Sequence, residues 1–167
     1  MAVLHLIEGP VGAGKTTYAM DLGQRLRTPP LVLDAWMVTL FRPDRPETDL
    51  WTWYTERKLR CIDQIWSVAV GLLDHGQDAI AELGLVRGTD RAAIFARAAE
   101  YGVKLRIHVL YSPQETRRER VAARNTVQGP TFAMVVSPDM FEAASDMWEP
   151  LTPAECAGQD VRFIAST

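Results

Sequence analysis

Short apolar runs that alternate with amphipathic stretches predict an α/β chain: a five-stranded, mainly parallel sheet with helices on both faces. Two further observations support this class. The loop after the first apolar run is rich in glycine, and the stretches between later runs repeat their apolar residues at helical spacing.

The first run, residues 3–7 ("VLHLI"), reads as a buried strand. From Lys15 to Leu26, Tyr18, Ala19, Leu22 and Leu26 recur with helical period, until the prolines at 29 and 30 end the helix. "LVLD" at 31–34 is a second strand with an acid at its end. The segment 35–49 holds two prolines without a clean period and reads as a loop with one turn of helix at most, closed by Asp49 as a cap. Leu59, Ile62, Ile65, Trp66, Ala69 and Leu73 then share one helical stripe. "AIAELGLV", 79–86, predicts a third strand with Glu82 near its carboxyl end. Thr89 opens a helix over 90–101 that Gly102 stops, and 104–112 is a fourth strand. Ser112, Pro113 and Glu115 form a capping-box pattern for a helix to about Asn125, and Ser137 with Pro138 starts another to Trp148. The run 160–165 is the fifth strand.

At 167 residues and 47% hydrophobic composition the chain suits one domain, with roughly two thirds of its unfolded surface buried. A net charge of -3 gives no general field for long nucleic acid. Cys61 and Cys156 lack metal-ligand spacing, and His5, His75 and His108 are scattered and read as structural. No run is long enough to span a bilayer, and "AVLHLI" lacks the basic flank of a signal peptide, so the expected location is the cytoplasm.

"GPVGAGKT", Gly9 to Thr16, fits GxxxxGK[ST] at every specified position. Glycines permit a tight turn whose N–H groups point at phosphate oxygens, at a helix N-terminus whose dipole also favours anions. Gly9, Pro10, Val11, Gly12, Ala13 and Gly14 form the cradle. Lys15 reaches the terminal phosphates, Thr16 completes a Mg²⁺ shell, and Thr17 adds a contact to the inner phosphate. The motif specifies a nucleoside triphosphate and leaves the chemistry to other residues.

Asp34, at the end of the second strand, is placed to face the same crevice, where a carboxylate accepts the proton of an attacking hydroxyl or holds Mg²⁺ through water. Glu82 is its rival for the metal or for substrate. Arg117, Arg120 and Arg124 fall on one helical face, suited to a lid over the phosphates or, alternatively, to a solvated face paired with Glu115 and Glu119. Arg118 points away from that stripe.

The P-loop, the aspartate closing the second strand and the RxxxR helix after "HVLYSP" together resemble the small P-loop kinases grouped as AAA-like ATPases. Relatives in that group include chloramphenicol phosphotransferase, the zeta toxins, gluconate kinase and the polynucleotide 5'-kinase domain. The resemblance implies a three-layer P-loop NTPase fold over 1–167, ATP with Mg²⁺, Asp34 as general base, and Arg120 and Arg124 as lid arginines engaging ATP, in a lid of about 113–137. It also implies an acceptor pocket in the segment of about 35–60, which holds Trp36, Arg42, Arg45, Trp51, Trp53 and Arg57. Of these, Trp36 and Arg42, with Asp34 and Glu82, are the candidate substrate contacts; packing is the competing role for the tryptophans.

The leading expectation is transfer of the γ-phosphoryl of ATP to a hydroxyl of a small molecule. A nucleotide-dependent switch with a protein partner and a nucleic-acid 5'-end kinase are the alternatives. No NKxD motif reads guanine, and the chain is too short for the second helical domain of an oligomeric motor.

Overall fold

The computed structural model describes residues 1–166. Five strands, β1 (Leu4–Glu8), β2 (Pro30–Val32), β3 (Ala79–Glu82), β4 (Leu105–Tyr111) and β5 (Asp160–Ala165), form one sheet in the order β2-β3-β1-β4-β5. Every neighbouring pair is parallel. All carboxyl ends therefore lie along one edge, where the chain leaves each strand for a loop or helix. The helices are α1 (Lys15–Leu26), α2 (Leu33–Leu40), α3 (Leu50–Asp74), α4 (Gly88–Glu100), α5 (Gln114–Val127), α6 (Pro138–Met147) and the short α7 (Pro153–Cys156), with a 3-10 turn at Arg42–Asp44.

Strand alternation sends successive side chains to opposite faces, and both faces are covered. Leu4, Leu6, Ala79 and Ala81 pack with the α3 stripe of Ile65, Trp66 and Ala69 and with Ile94 and Ala98 of α4. Ile7 and Ile80 pack on Ala19 and Leu22 of α1. Each large apolar side chain so buried contributes roughly 1.5–3 kcal/mol before chain entropy is subtracted.

On the α1 face, the two strand histidines pair within the core. His5 Nδ1 and His108 Nε2 lie 2.9 Å apart, and His108 Nδ1 is 2.9 Å from the Tyr18 hydroxyl. Asp78, 3.6 Å from His5 Nε2, ends the chain of contacts. Burial holds both imidazoles below their ordinary pKa, His108 at about 4, so at neutral pH they are uncharged hydrogen-bonding groups. The expectation that these histidines are structural fits that placement.

Local readings need correction at several places. The strand expected over 31–34 ends at Val32, and the loop expected over 35–49 begins with a two-turn helix, α2. Leu33 and Met37, one turn apart, are buried and hold that helix on the core, which outweighs the weaker helix propensity of Asp34, Trp36, Val38 and Thr39. The third strand stops at Glu82, because Gly84 takes φ +59 and breaks the extended backbone. Asp49 and Thr89 make no capping bond: Asp49 sits at the N-cap of α3 with a left-handed φ of +54, and Thr89 lies inside α4. At α5 the expected capping box is absent, with Pro113 rather than Ser112 at the cap, and the Ser112 hydroxyl instead accepts from Arg120. Ser137 does cap α6, accepting from the Met140 N–H, and an unforeseen capping box joins Thr152 and Glu155.

Candidate active site

β1 ends at Glu8 and α1 begins at Lys15, so Gly9 to Gly14 make the turn between the central strand and a helix. The Ala13 N–H donates to Pro10 O at 3.2 Å and tightens it. Gly14 takes φ +86 as the N-cap, and a Cβ there would meet nothing within 4 Å, so the mouth of the turn is open. Gly12 is different. At φ +77, a Cβ would come within 2.8 Å of Arg117 O, so glycine lets the backbone of α5 pack directly on the loop. α1 has neither a side-chain cap nor an acid in its first turn. The N–H groups of Lys15, Thr16 and Thr17 therefore meet the open side with the positive end of the helix dipole. Lys15 Nζ donates to Pro10 O at 3.0 Å.

The cleft over this turn, about 230 Å³, is lined by Gly12, Gly14, Thr16, Thr17, Arg120 and Arg124, among others. Arg124 Nε is buried without a hydrogen-bond partner. Arg120 donates to Ser112 Oγ at 3.4 Å, Ser166 Oγ at 3.0 Å and Ser166 O at 3.1 Å, which fixes it between α5 and the end of β5. Arg117, the third member of the expected stripe, does not line the cleft. It is buried beneath the loop, donating to Val11 O at 2.9 Å and Ser145 Oγ at 3.2 Å, and it braces the turn from behind. Arg118 does face away, pairing with Glu115 and Glu142.

Glu82, the last residue of β3, accepts from the Thr16 hydroxyl at 2.9 and 3.2 Å. Burial raises its pKa, while Lys15 and the Thr16 bond oppose the rise. Asp34 lies in the first turn of α2, two residues beyond Val32, which is in register with Glu82. It is exposed, and its charge acts on both Glu82 and the phenol of Tyr54. Asp34 thus stands at the same sheet edge as the P-loop, but on a helix N-terminus, where the dipole favours its carboxylate.

The segment expected to hold an acceptor is divided in role. Trp36 is half-buried and packs against the core, while Arg42 is exposed on the 3-10 turn. Arg57 lies over Trp53, 4.6 Å from the ring centre, and 5.9 Å from that of Phe41. Three groups near the cleft were not among the sequence candidates. Thr131 lines it from the α5–α6 loop, Ser166 holds Arg120, and Glu8 is buried at the root of the P-loop. Only Glu8 carried a signal, a charge closing an apolar run.

Comparison with known proteins fits this layout. A family model described as an AAA domain matches residues 4–136, from β1 to the α5–α6 loop. The chain belongs to the AAA domain family. No curated protein matches this AAA domain. Among solved structures, it is similar to a protein assigned as a kinase from Chloroflexus aurantiacus J-10-fl, with a TM-score of 0.73 at 21% identity, covering 98% of this chain and 85% of that one. It is also similar to a sugar kinase from Janibacter sp. HTCC2649, with a TM-score of 0.65 at 15% identity, covering 99% and 86%. A gluconokinase from Sinorhizobium meliloti 1021 superposes with a TM-score of 0.56 at 14% identity, covering 98% and 82%. At these identities the likeness establishes the fold, a three-layer P-loop kinase-like architecture. Among the described residues no helix is long and apolar enough to cross a membrane.

Proposed function

We propose that this AAA domain is an ATP-dependent phosphotransferase that moves the γ-phosphoryl of ATP to a hydroxyl of a small molecule. The observation that carries the proposal is the convergence on one cleft of the open P-loop turn, an arginine with an unpartnered buried N–H, and a hydroxyl–carboxylate pair. That donor set fits a triphosphate with a divalent cation. Backbone N–H groups of the first turn of α1 suit the phosphate oxygens, and Lys15 needs only to leave one carbonyl to reach them. Thr16 and Glu82 would hold Mg²⁺, directly or through water, with Asp34 nearby; the ion's contribution is to neutralise charge on the phosphates.

Phosphoryl transfer asks the protein mainly for positioning and charge stabilisation. Arg124 offers its free N–H groups to the transferring group, while Arg120, held by two serines, is preset at the rim. Asp34 accepts the proton of the incoming hydroxyl. Its place on a helix rather than a strand leaves it open to an acceptor seated against α2 and α3, the segment of 35–60. The sugar kinase and gluconokinase neighbours support a small hydroxylated acceptor. Two unpaired cysteines suit the cytoplasm as the working compartment.

The proposal is tested by Asp34→Asn. Phosphoryl transfer is expected to fall by at least about 10²-fold, the usual size of a general-base contribution, with ADP affinity kept within a few-fold. Full turnover in the variant would remove Asp34 from the mechanism.

A further inference from the structure

Glu8 stands out as the least compensated charge-bearing group in the core. It is the last residue of β1, it is 1% exposed, and its Oε1 has no hydrogen-bond partner. The charged groups that face it come from four elements: Lys15 from the P-loop helix, Arg91 from α4, Lys58 from α3 and Glu82 from β3. None of the three cations is paired with it. Arg91, itself fully buried, is engaged by Glu155 at 2.7 Å and by Leu85 O. Lys58 donates to Gly84 O at 3.2 Å, and Lys15 to Pro10 O. Lys15 acts on Glu8 more strongly than the other two.

A carboxyl in such a place is neutral while it keeps its proton, and it needs a cation once it loses it. Lys15 and Lys58 each have a single carbonyl contact to lose, but Lys15 acts on Glu8 more strongly, and it is also the one the phosphates need. Resting on the nucleotide-binding reading of the P-loop, we infer that Glu8 is a proton-linked positioning residue: protonated, it leaves Lys15 to the triphosphate, and ionised, it competes for the same ammonium. Burial, the largest influence on it, lifts its pKa to about 8, which puts the exchange within reach of ordinary solution conditions.

Binding of ADP with Mg²⁺ is to be measured by titration calorimetry between pH 7 and 9, in two buffers of different ionisation enthalpy, for the wild type, Glu8→Gln and Glu8→Met. In the wild type, the Kd is expected to rise up to about tenfold across this range, with proton uptake on binding near pH 8. Both variants are expected to bind at every pH without that rise and without the uptake. Glutamine keeps the shape and methionine the volume, so misfolding of one leaves the other as the test. A wild-type Kd that is flat with pH, or a rise that persists in the variants, overturns the role of Glu8. Absence of ADP binding at every pH in all three proteins overturns instead the nucleotide-binding reading beneath it.

Discussion

At the scale of single residues, neighbours on one helix face have separate duties. Arg117 and Arg124 were equivalent by spacing, yet one is buried under the P-loop and bonded to its backbone, while the other lines the cleft with an N–H unsatisfied. Sequence spacing sets the helix face but not how far along the helix the loop crosses it. The division predicts opposite phenotypes. Arg124→Ala is expected to lower kcat/KM by about 10²-fold with little change in melting temperature, as removal of a transition-state contact does. Arg117→Ala is expected to cost about 2 kcal/mol of stability, because it orphans Val11 O beneath a tight turn. Paired thermal melts and steady-state kinetics separate the two, and equal effects on both readouts in both variants would refute the assignment.

At the scale of elements, the strand order was legible as alternation but not as sequence of positions. The five runs and the P-loop motif predict a parallel sheet, and the observed order β2-β3-β1-β4-β5 places the P-loop strand at its centre. Element boundaries were less legible. Asp34 was expected to close β2, but two buried side chains one turn apart, Leu33 and Met37, turn the chain into helix first. The acid stays at the carboxyl edge of the sheet because strand end and helix start adjoin there. Likewise, Glu82 was recognised as an acid at a strand end, while its bond to Thr16 depends on α1 lying across β3, which no local pattern encodes. The histidines were read as structural, and their link through Tyr18 gives that reading content, since it ties α1 to β1 and β4. Tyr18→Phe is expected to cost about 1 kcal/mol, measured by denaturant unfolding at pH 7. An unchanged stability would show that the hydroxyl contributes nothing to holding α1.

At the scale of the whole molecule, the buried titratable groups set how stability changes with pH. His5 and His108 have depressed folded-state pKa values, so the unfolded chain binds more protons below its own value near 6.5. Their contribution is complete above about pH 6.5 and is lost as pH falls toward 4. Glu155, held at about 2 by its bond to Arg91, acts in the same sense below the ordinary carboxylate range. Glu8 acts in the opposite sense. Its folded-state pKa is raised, so its contribution is complete below about pH 4.5 and is lost as pH rises through 8. Glu82, also raised by burial, acts in the same sense as Glu8, so melting temperature is expected to fall between pH 6.5 and 8 in the wild type and to fall less steeply in Glu8→Gln. These buried groups lie within the frame that carries Lys15, Thr16 and Glu82 at one sheet edge, and the central claim concerns what that edge does. Acceptor-dependent release of ADP from ATP and Mg²⁺ tests it most directly, with a panel of sugars, sugar acids, nucleosides and hydroxylated antibiotics offered to the wild type and to Asp34→Asn. The account predicts that at least one acceptor raises ADP release well above the rate without acceptor, and that the rise disappears in Asp34→Asn. ATP hydrolysis at the same rate with and without every acceptor, unchanged in Asp34→Asn, would contradict it.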